Sequence, residues 1–302
     1  MISSTDRKNG IILAMFGTSV ESGLAGFFHI RDRFVARFPQ SRVHLAFSSK
    51  IIREIWHERA ADSRYRLVSH EIPEDILAVK SPAEVVRAFA EAGAESFVIQ
   101  SVQIAPAVNE LTVDDYVDGA NQSVLNKFRK TCVGRPAFGT FGCKYPYTED
   151  VITVAQTLSP DISLARQEQA ALCYLGHGNK FPDTGRVYDE LVEEMRRQYQ
   201  DVPTFMGMIE GGRPDDEIVE ELKKYKVTKV ILKPFMIAAG DHVRKDMTGE
   251  GPHTLKTQLE EEGISVLPVM KGLGEISAFA DIFVQHTADA ARDAGIVLGY
   301  VR

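Results

Sequence analysis

Short apolar runs alternate with segments of helical periodicity along almost the whole chain. The apolar runs that are typical of buried strands lie at 11–16, 43–47, 97–104, 171–175, 205–209, 230–237 and 264–269. The helical segments lie at 24–37, from Ser81 to about Glu91, after an N-cap at Asp183 or Thr184, from Pro214 to Lys226, within 251–262 and at 275–294. Parallel strands need such crossover helices, so the alternation predicts a parallel α/β fold.

The chain also contains a faint internal repeat. The stretch VIQSVQIAPAVNE, from Val98 to Glu110, aligns without gaps with VILKPFMIAAGDH, from Val230 to His242. This alignment sets Glu110 opposite His242, and both residues follow a predicted strand. Loops at that end of a parallel strand line the crevice in which ligands bind.

A second match joins AMFGTS at 14–19 to YLGHGN at 174–179, and from it we place Thr18 opposite His177. Together the two matches indicate a duplicated unit. We therefore expect two similar lobes, each a parallel β-sheet flanked by helices, with the active-site cleft between them. The last helix is expected to pack back on the N-terminal lobe. The predicted lobes are residues 1–140 and 141–302.

Three potential metal ligands each follow a strand-like run in the second half. They are His177 in Gly-His-Gly, Glu210 before Gly-Gly, and His242 in Gly-Asp-His, and they are almost evenly spaced. Each spacing is about one strand–helix–strand unit, so the three side chains are expected to converge at one edge of a parallel sheet. Two imidazoles and one carboxylate suit Co, Fe, Ni or Zn better than Mg or Ca. Taken singly, each residue also fits an ordinary loop position.

Basic residues follow the same three motifs. Lys180 comes after Gly-His-Gly, Arg213 after Glu-Gly-Gly, and Arg244 with Lys245 after Asp-His. Together they predict an anion-binding rim, although ordinary surface charge explains them equally well.

Composition narrows the function further. The net charge of −7 disfavours a nucleic-acid partner. No apolar run is long enough to span a bilayer, and residues 1–10 do not resemble a signal peptide. The three cysteines lack C-x-x-C spacing, which favours reduced thiols in a cytoplasmic protein. No dinucleotide or P-loop motif is present, so no nucleotide is expected, and the oligomeric state is left open as a possible homo-oligomer.

Longer strings resemble one enzyme family. PFMIAAGDHVRKDMTGE, YLGHGN, MIEGG and MFGTS are similar to the anaerobic sirohydrochlorin cobaltochelatases of the CbiK type. These are class II, ATP-independent chelatases related to ferrochelatase. The resemblance covers most of the chain, and G-D-H-x-x-x-D-M is its most specific part. It implies two α/β lobes with the tetrapyrrole between them, and a metal ion held by His177, Glu210 and His242.

The resemblance also implies a reaction. The expected enzyme inserts Co²⁺ into sirohydrochlorin, with loss of two pyrrole protons, on the anaerobic route to cobalamin. His177 is the favoured proton acceptor as well as a ligand. The candidates for contacts with the macrocycle and its carboxylates are Lys180, Arg213, Arg244, Lys245, Thr18 and Glu110.

Three alternatives stay open at this point. The same enzyme class could insert Fe²⁺ for sirohaem synthesis, or accept Ni²⁺, because metal choice depends on supply and geometry. The chain could act on a less carboxylated porphyrin as a ferrochelatase. It could also be a tetrapyrrole or metal carrier without turnover.

Overall fold

The computed structural model describes residues 8–69, 71–105, 111–117, 122–140, 144–178, 182–210, 215–240, 243–249, 251 and 254–299, without the side chains of 182–184, 243 and 244. None of the helices in these ranges is both long and apolar enough to cross a membrane. The described chain forms two parallel four-stranded sheets, each flanked by helices. This confirms the predicted α/β class.

The first sheet has the strand order β2-β1-β3-β4, and all of its strands are parallel. Its strands are β1 Asn9–Met15, β2 Ser41–Phe47, β3 Ser96–Ser101 and β4 Lys130–Gly134. Its helices are α1 Leu24–Arg37, α2 Lys50–Ala61, α3 Ser63–Val68, α4 Glu74–Leu77, α5 Pro82–Glu91 and α6 Gln122–Leu125.

The second sheet has the order β6-β5-β7-β8 and is again parallel throughout. Its strands are β5 Ala171–Gly178, β6 Thr204–Glu210, β7 Lys229–Phe235 and β8 Ser265–Pro268. The helices of this half are α7 Tyr147–Thr157, α8 Ser159–Glu168, α9 Pro182–Gln198, α10 Asp215–Lys224, α11 Leu255–Glu261 and α12 Ser277–Ala294. The boundary after residue 140 stays a prediction, because residues 141–143 lie outside the described ranges.

The two sheets share their register as well as their strand order. Ile11 of β1 pairs with Val98 of β3, and Ala171 of β5 pairs with Val230 of β7. Ile11 and Ala171 are separated by the same number of residues as Ala14 and Tyr174, which begin one of the internal matches. Val98 and Val230 begin the other match. The faint repeat in sequence therefore corresponds to a repeat in structure.

The same register corrects one predicted equivalence. When Ile11 is made equivalent to Ala171, Gly17 becomes equivalent to His177 and Thr18 to Gly178. The position equivalent to His177 in the first sheet is therefore a glycine, and the placement of Thr18 opposite His177 is wrong by one position.

Alternation along β1 divides the first sheet into two buried faces. Ile11 and Leu13 belong to a cluster that also includes residues of the second sheet, and we call this cluster the central core. Ile12 and Ala14 pack on the opposite face, with Phe89 of α5, in an outer core. Both faces are apolar because helices cover both, which is the usual pattern in parallel sheets.

The second sheet repeats this arrangement. Leu172 and Tyr174 join the central core, whereas Cys173 and Leu175 join a second outer core. Leu222 of α10 packs in that outer core, as does Leu259 of α11. The central core thus lies between the sheets, with one outer core beyond each.

Helix α5 shows how local sequence determines an element. Ser81 is its N-cap, and Pro82 follows at the first helical position, as predicted. The Glu84 side chain accepts a 2.7 Å hydrogen bond from the Ser81 backbone N–H, and the Ser81 hydroxyl accepts one from Glu84 N–H, which completes a capping box. Val86 and Phe89 then face the outer core of the first sheet.

The last helix, α12, returns to the first lobe and packs against α1, β3 and β4. The Thr287 hydroxyl donates a 2.8 Å hydrogen bond to the Gln100 side chain of β3. Beyond the helix, the backbone carbonyls of Val297 and Leu298 accept hydrogen bonds from Asn9 and Ser41, the first residues of β1 and β2. The carboxyl-terminal segment is thus part of the packing of the N-terminal sheet.

A buried ionic network ties α12 to β4 and α7. Arg135, just after β4, lies 3.1 Å from the Asp150 carboxylate and 2.9 Å from that of Asp289. His286 lies 3.2 Å from the same Asp150. Asp150 lies on α7, whereas Asp289 and His286 lie on α12. Both carboxylates are buried, so each depends on these partners to offset its desolvation.

Some elements differ from the sequence predictions. Helix α9 begins at Pro182, so Asp183 and Thr184 lie within its first turn and are not its N-cap. Strand β1 ends at Met15, and Phe16, which the sequence pattern places in the buried run, is 66% exposed. Strand β4, the helices between β2 and α5, and the helices α6, α7 and α8 were not predicted at all.

Candidate functional site at the carboxyl edge of the second sheet

The second sheet brings two of the three predicted metal ligands to one edge. β5, β6 and β7 are parallel, and their carboxyl ends share that edge. Gly178, which follows His177, pairs directly with Glu210, the last residue of β6. His177 and Glu210 are therefore one position out of register on neighbouring strands, as the spacing of the motifs predicts.

The imidazole of His177 is half-buried and held in one tautomer. Its Nδ1 lies 3.0 Å from the backbone carbonyl of Gly178. A carbonyl oxygen can only accept, so Nδ1 carries the hydrogen and the lone pair of the neutral ring is on Nε2. A backbone carbonyl on one ring nitrogen is the usual arrangement when the other nitrogen binds a metal ion.

Glu210 is exposed at the end of β6, and its position is on the opposite face of the sheet from that of His177. His177 continues the row of Leu175 in the outer core, whereas Glu210 continues the row of Met208 in the central core. However, Leu175 and Met208 both border one cavity at the edge of the sheet. Neither His177 nor Glu210 is itself among the residues that line this cavity, so their approach to one ion stays a prediction.

That cavity has a volume of about 570 Å³. It is lined by Leu175, Met208, Ile209, Asp215, Asp216, Lys245, Asp246, Gly251, Thr254 and Gln258. Three of these residues are carboxylates and one is a lysine. Burial raises the pKa of Asp215, and the nearby Asp216 and Asp246 raise it further. This part of the wall therefore favours a cation over a carboxylate.

The third predicted ligand, His242, lies outside the described residues. Among the residues that the structure does describe, no three His, Cys, Asp or Glu side chains are grouped so that they could hold a metal ion. The convergence of all three predicted ligands therefore stays a prediction.

The structure describes only part of the predicted basic rim. Lys245 is exposed and lies on the cavity wall, within a short π-helical turn, Val243–Met247. Arg244 belongs to the same turn, but its side chain is outside the described set, and so are Lys180 and Arg213. Binding of an anion by these four residues remains a prediction.

The edge of the first sheet meets the segment that leads to His242. Thr18 is buried, and its hydroxyl accepts a 3.2 Å hydrogen bond from Val20 N–H. This hydroxyl is 3.3 Å from the point that a Cβ on Gly240 would occupy. Thr18 thus contacts the other lobe two residues before His242. Glu110, the other predicted contact from the first half, lies outside the described residues.

Phe16 is a site candidate that the sequence analysis missed. It is the only exposed phenylalanine within the described part of the chain. Its backbone is fixed, because Ser48 N–H donates to Met15 O at 2.7 Å and Ser49 N–H donates to Phe16 O at 3.2 Å. Phe16 lies two residues from Thr18 in the chain, and its exposed ring is an apolar surface just after β1. The signal in sequence was its position at the end of the apolar run, directly before Gly-Thr-Ser.

The loop after β1 is held in place by side chains from α2. Trp56 donates from its indole nitrogen to Thr18 O at 2.8 Å, and Arg59 donates to Ser19 O at 2.6 Å. Trp56 is completely buried. The first lobe therefore presents a braced edge to the second.

The cysteines do not contribute ligands in the described ranges. Cys132 and Cys173 form no disulfide there, and burial raises the pKa of each thiol to about 12. Both thiols stay protonated near neutral pH, and the thiolate is the form that binds metal. Cys143 lies outside the described residues.

Comparison with known proteins agrees with this arrangement. A sequence model of the family described as Cobalt chelatase (CbiK) matches residues 9–292. The sirohydrochlorin cobaltochelatase CbiKC of Nitratidesulfovibrio vulgaris is 28% identical over 288 residues, which cover 94% of this chain and 90% of that protein. The sirohydrochlorin cobaltochelatase of Salmonella typhimurium is 24% identical over 286 residues, covering 94% of this chain and 96% of that one.

A solved structure shares the fold. The sirohydrochlorin chelatase SirB from Bacillus subtilis subspecies spizizenii, in complex with cobalt, superposes with a TM-score of 0.56. The alignment covers 95% of this chain and 97% of that chain at 11% identity, so it shows that the two chains share a fold and nothing more. The family match, by contrast, extends from β1 to α12 through both sheets. The chain therefore belongs to the cobalt chelatase (CbiK) family.

Proposed function

We propose that this protein inserts Co²⁺ into sirohydrochlorin, with release of two pyrrole protons, in the anaerobic synthesis of cobalamin. The observation that carries the proposal is the family match over residues 9–292, which includes both lobes and the edges of both sheets. No nucleotide is expected in the reaction, because the metal ion exchanges its water ligands for pyrrole nitrogens and these nitrogens release their protons.

His177, Glu210 and His242 are the proposed ligands of the incoming ion. The Nδ1 of His177 lies against the Gly178 carbonyl, which supports Nε2 as the proposed ligating nitrogen. Glu210 adds a carboxylate from the adjacent strand. Two imidazoles and one carboxylate leave coordination positions open, so pyrrole nitrogens can replace water on the metal.

The proposed proton acceptor is the His177 imidazole. In the tautomer set by Gly178, Nε2 has the lone pair that can accept a pyrrole proton. The same lone pair cannot bind metal and proton at once. His177 therefore either binds the ion or accepts a proton at any one time. It can accept a pyrrole proton as the metal moves from its Nε2 to the nitrogens of the macrocycle.

The macrocycle is proposed to lie between the two sheet edges. The exposed ring of Phe16 suits its flat apolar face, since aromatic rings stack on one another with favourable energy. The candidates to hold its carboxylates are Lys180, Arg213, Arg244 and Lys245, whereas Thr18 and Glu110 remain candidates for other contacts with the macrocycle.

The test is anaerobic incubation of the protein with sirohydrochlorin and Co²⁺, Fe²⁺ or Ni²⁺ in turn, followed by visible absorbance. We expect repeated turnover with Co²⁺ and release of the metallated product. Faster turnover with Fe²⁺ would assign the protein to sirohaem synthesis. A single stoichiometric spectral change without product release would identify a carrier and overturn the proposal.

The remaining sequence predictions concern location and assembly. A cytoplasmic location, the absence of nucleic-acid and membrane partners, and a homo-oligomeric state all stay predictions. Light scattering on the purified protein at several concentrations measures the oligomeric state directly.

A further inference from the structure

Helix α12, which packs on the first sheet, meets helix α7 at His286. Helix α12 contacts β3 and β4, whereas α7 packs on α9, and α9 packs on β6 of the second sheet. The Tyr147 hydroxyl of α7 donates a 2.7 Å hydrogen bond to Glu190 of α9. The buried ionic network described above therefore connects the packing of one sheet to that of the other. We call its four members, Arg135, Asp150, His286 and Asp289, the lobe junction.

Both ring nitrogens of His286 face acceptors. Nε2 lies 3.2 Å from Oδ1 of Asp150, and Nδ1 lies 3.2 Å from the backbone carbonyl oxygen of Arg135. A neutral imidazole has one N–H and one lone pair, whereas the imidazolium cation has two N–H groups. A neutral ring that donates to the carbonyl would thus turn its lone pair toward the carboxylate. The ring is buried, so the protein and not bulk water must satisfy both nitrogens.

The proton between His286 and Asp150 belongs on the ring. Asp150 already accepts hydrogen bonds from the Arg135 guanidinium, whose Nε lies 3.1 Å from Oδ2 and whose Nη2 lies 3.4 Å from Oδ1. Donors on both oxygens favour the ionised form of a carboxyl group. An ionised Asp150 can only accept, so Nε2 of His286 must carry a hydrogen of its own.

The charges of the lobe junction support the same assignment. Asp150 and Asp289 contribute two negative charges, and the Arg135 guanidinium between them contributes one positive charge. A doubly protonated His286 makes the four buried groups neutral as a set. Buried charges are tolerated when they are paired in this way, whereas an unpaired one is costly.

Two further groups face the lobe junction from its outer side. Arg292 of α12 lies 2.9 Å from Asp289, but its side chain is 61% exposed, so water screens much of its charge. The ring of Tyr145 covers the Arg135 guanidinium at 4.2 Å. Gln285, which is uncharged, donates to Asp289 at 2.9 Å. These groups act on Arg135 and Asp289, whereas Asp150 is the acid that faces the His286 ring.

We propose that His286 is doubly protonated in the folded protein and is a pH-dependent latch between the lobes. Its imidazolium joins α12 to α7 across the lobe junction, and loss of the second proton as the pH rises loosens this joint. The neutral ring has no hydrogen left for Asp150, so a donor is lost and a lone pair faces a carboxylate. The latch does not depend on the chemistry at the sheet edges, so its test is separate from that of the proposed function.

The first measurement is the protonation state of the ring itself. Nitrogen-15 NMR on the intact, isotope-labelled protein distinguishes an imidazolium from a neutral imidazole, and His286 is assigned through bonds from its own backbone. We expect both nitrogens of His286 to carry hydrogen at neutral pH. His57, whose Nε2 lies 2.9 Å from the Val79 carbonyl, needs a single N–H for that contact and is the comparator. A neutral His286 ring at neutral pH would overturn the proposal.

The second measurement is the pH dependence of unfolding in the wild type, His286→Gln and the control His57→Gln. A glutamine amide can still donate to Asp150 but does not titrate. Urea denaturation followed by circular dichroism gives the unfolding equilibrium constant at each pH. The protonated ring stabilises the folded state, so the advantage of the wild type over His286→Gln should decline as the pH rises through the range in which NMR shows the ring losing its second proton.

We expect this advantage, as a ratio of unfolding constants, to shrink by about tenfold or more across that range, as for the loss of one hydrogen bond to a charged group. His57→Gln should stay parallel to the wild type. A ratio for His286→Gln that does not change with pH would overturn the proposal. If His286→Gln does not fold, the NMR titration of the wild type decides the question alone.

Discussion

The two lobes share strand order and register, yet the residues at their edges differ in kind. The second lobe has His177 and Glu210 at the ends of adjacent strands, whereas the equivalent of His177 in the first lobe is Gly17. The first edge has instead an exposed aromatic ring, Phe16, and a buried threonine, Thr18. A repeated scaffold thus has the proposed coordinating groups on one copy and an apolar and polar contact surface on the other.

The connections between strands show where the copies differ most. Ile11 and its partner Val43 are as far apart in the chain as Leu172 and its partner Thr204. The connection from β2 to β3, however, contains the helices α2, α3, α4 and α5, whereas the described residues between β6 and β7 form one helix, α10. The added helix α2 holds the loop after β1 through Trp56 and Arg59. The first lobe thus has extra bracing at the edge where the second has its proposed ligands.

The comparison is tested most strongly by removing the imidazole from the second edge. His177→Ala should lower turnover by a factor of about 10²–10⁴, because it removes a ligand and the proposed base together. The control is His44→Ala, which removes an exposed histidine in the middle of β2 and should leave turnover within about twofold, as surface changes usually do. Nearly normal turnover in His177→Ala would mean that the chemistry is not concentrated on the second edge. The measurement is initial rate at saturating Co²⁺.

The next largest effect is expected where the lobes are tied together. Arg135→Ala removes the buried guanidinium that Asp150 and Asp289 share, and leaves them only His286 and the exposed Arg292 as partners. It should therefore lower the free energy of unfolding by at most about 3–5 kcal/mol. Replacing Arg166, whose ion pair with Asp201 is at the surface, should change stability little. Urea denaturation followed by circular dichroism measures both variants. Equal stability of the two would show that the network does not join the lobes energetically.

A smaller effect is expected from the apolar surface of the first edge. Phe16→Ala should raise the KM for sirohydrochlorin about tenfold, because it removes roughly one aromatic contact. The KM for Co²⁺ should not change, since Phe16 has no atom that binds metal. Val297→Ala, which also truncates an exposed apolar side chain, serves as the control. A parallel rise in both KM values would assign Phe16 to folding and not to substrate binding.

The smallest effect concerns the acidic cavity beside the second edge. The pKa of Asp215 is raised by burial and by its acidic neighbours, so the folded protein binds this proton more tightly than the unfolded chain does. The charged form therefore destabilises the fold once the pH exceeds the folded pKa. Asp215→Asn should raise Tm by on the order of 1–3 °C at neutral pH. The gain should shrink as the pH falls through the folded pKa and disappear below the unfolded value, which differential scanning calorimetry across pH can follow. A constant gain at all pH values would contradict this account.

The sequence predicted the strand-end positions of His177 and Glu210 because the signals there are local. His177 and Glu210 each follow an apolar run and adjoin glycines. In a parallel sheet the ends of such runs lie at the same edge, so the two residues are expected there. Register followed from the internal matches, although the placement of Thr18 was wrong by one position. The strand β4 was missed because Lys130–Gly134 is a short edge strand with little buried apolar surface.

Other features could not be predicted because they join residues that are distant in the chain. Arg135 and Asp289 are 154 positions apart, and neither has a local pattern that marks it as buried. The close backbone approach of Gly26 and Gly274 likewise depends on how the lobes pack. Phe16 was misjudged because the last residue of an apolar run is usually buried, whereas β1 ends at Met15 and Phe16 is exposed just before the turn at Gly17 (φ 102°).

The return of α12 to the first sheet has a consequence for how the chain folds during synthesis. Helix α12 and the residues after it supply packing and hydrogen bonds to β1, β2, β3 and β4, which were translated much earlier. The ribosome must therefore release almost the entire chain before the first lobe is complete. The second sheet, whose strands and covering helices α10 and α11 are contiguous in the chain, can assemble before that moment. The lobe that is made first is thus the one that finishes folding last.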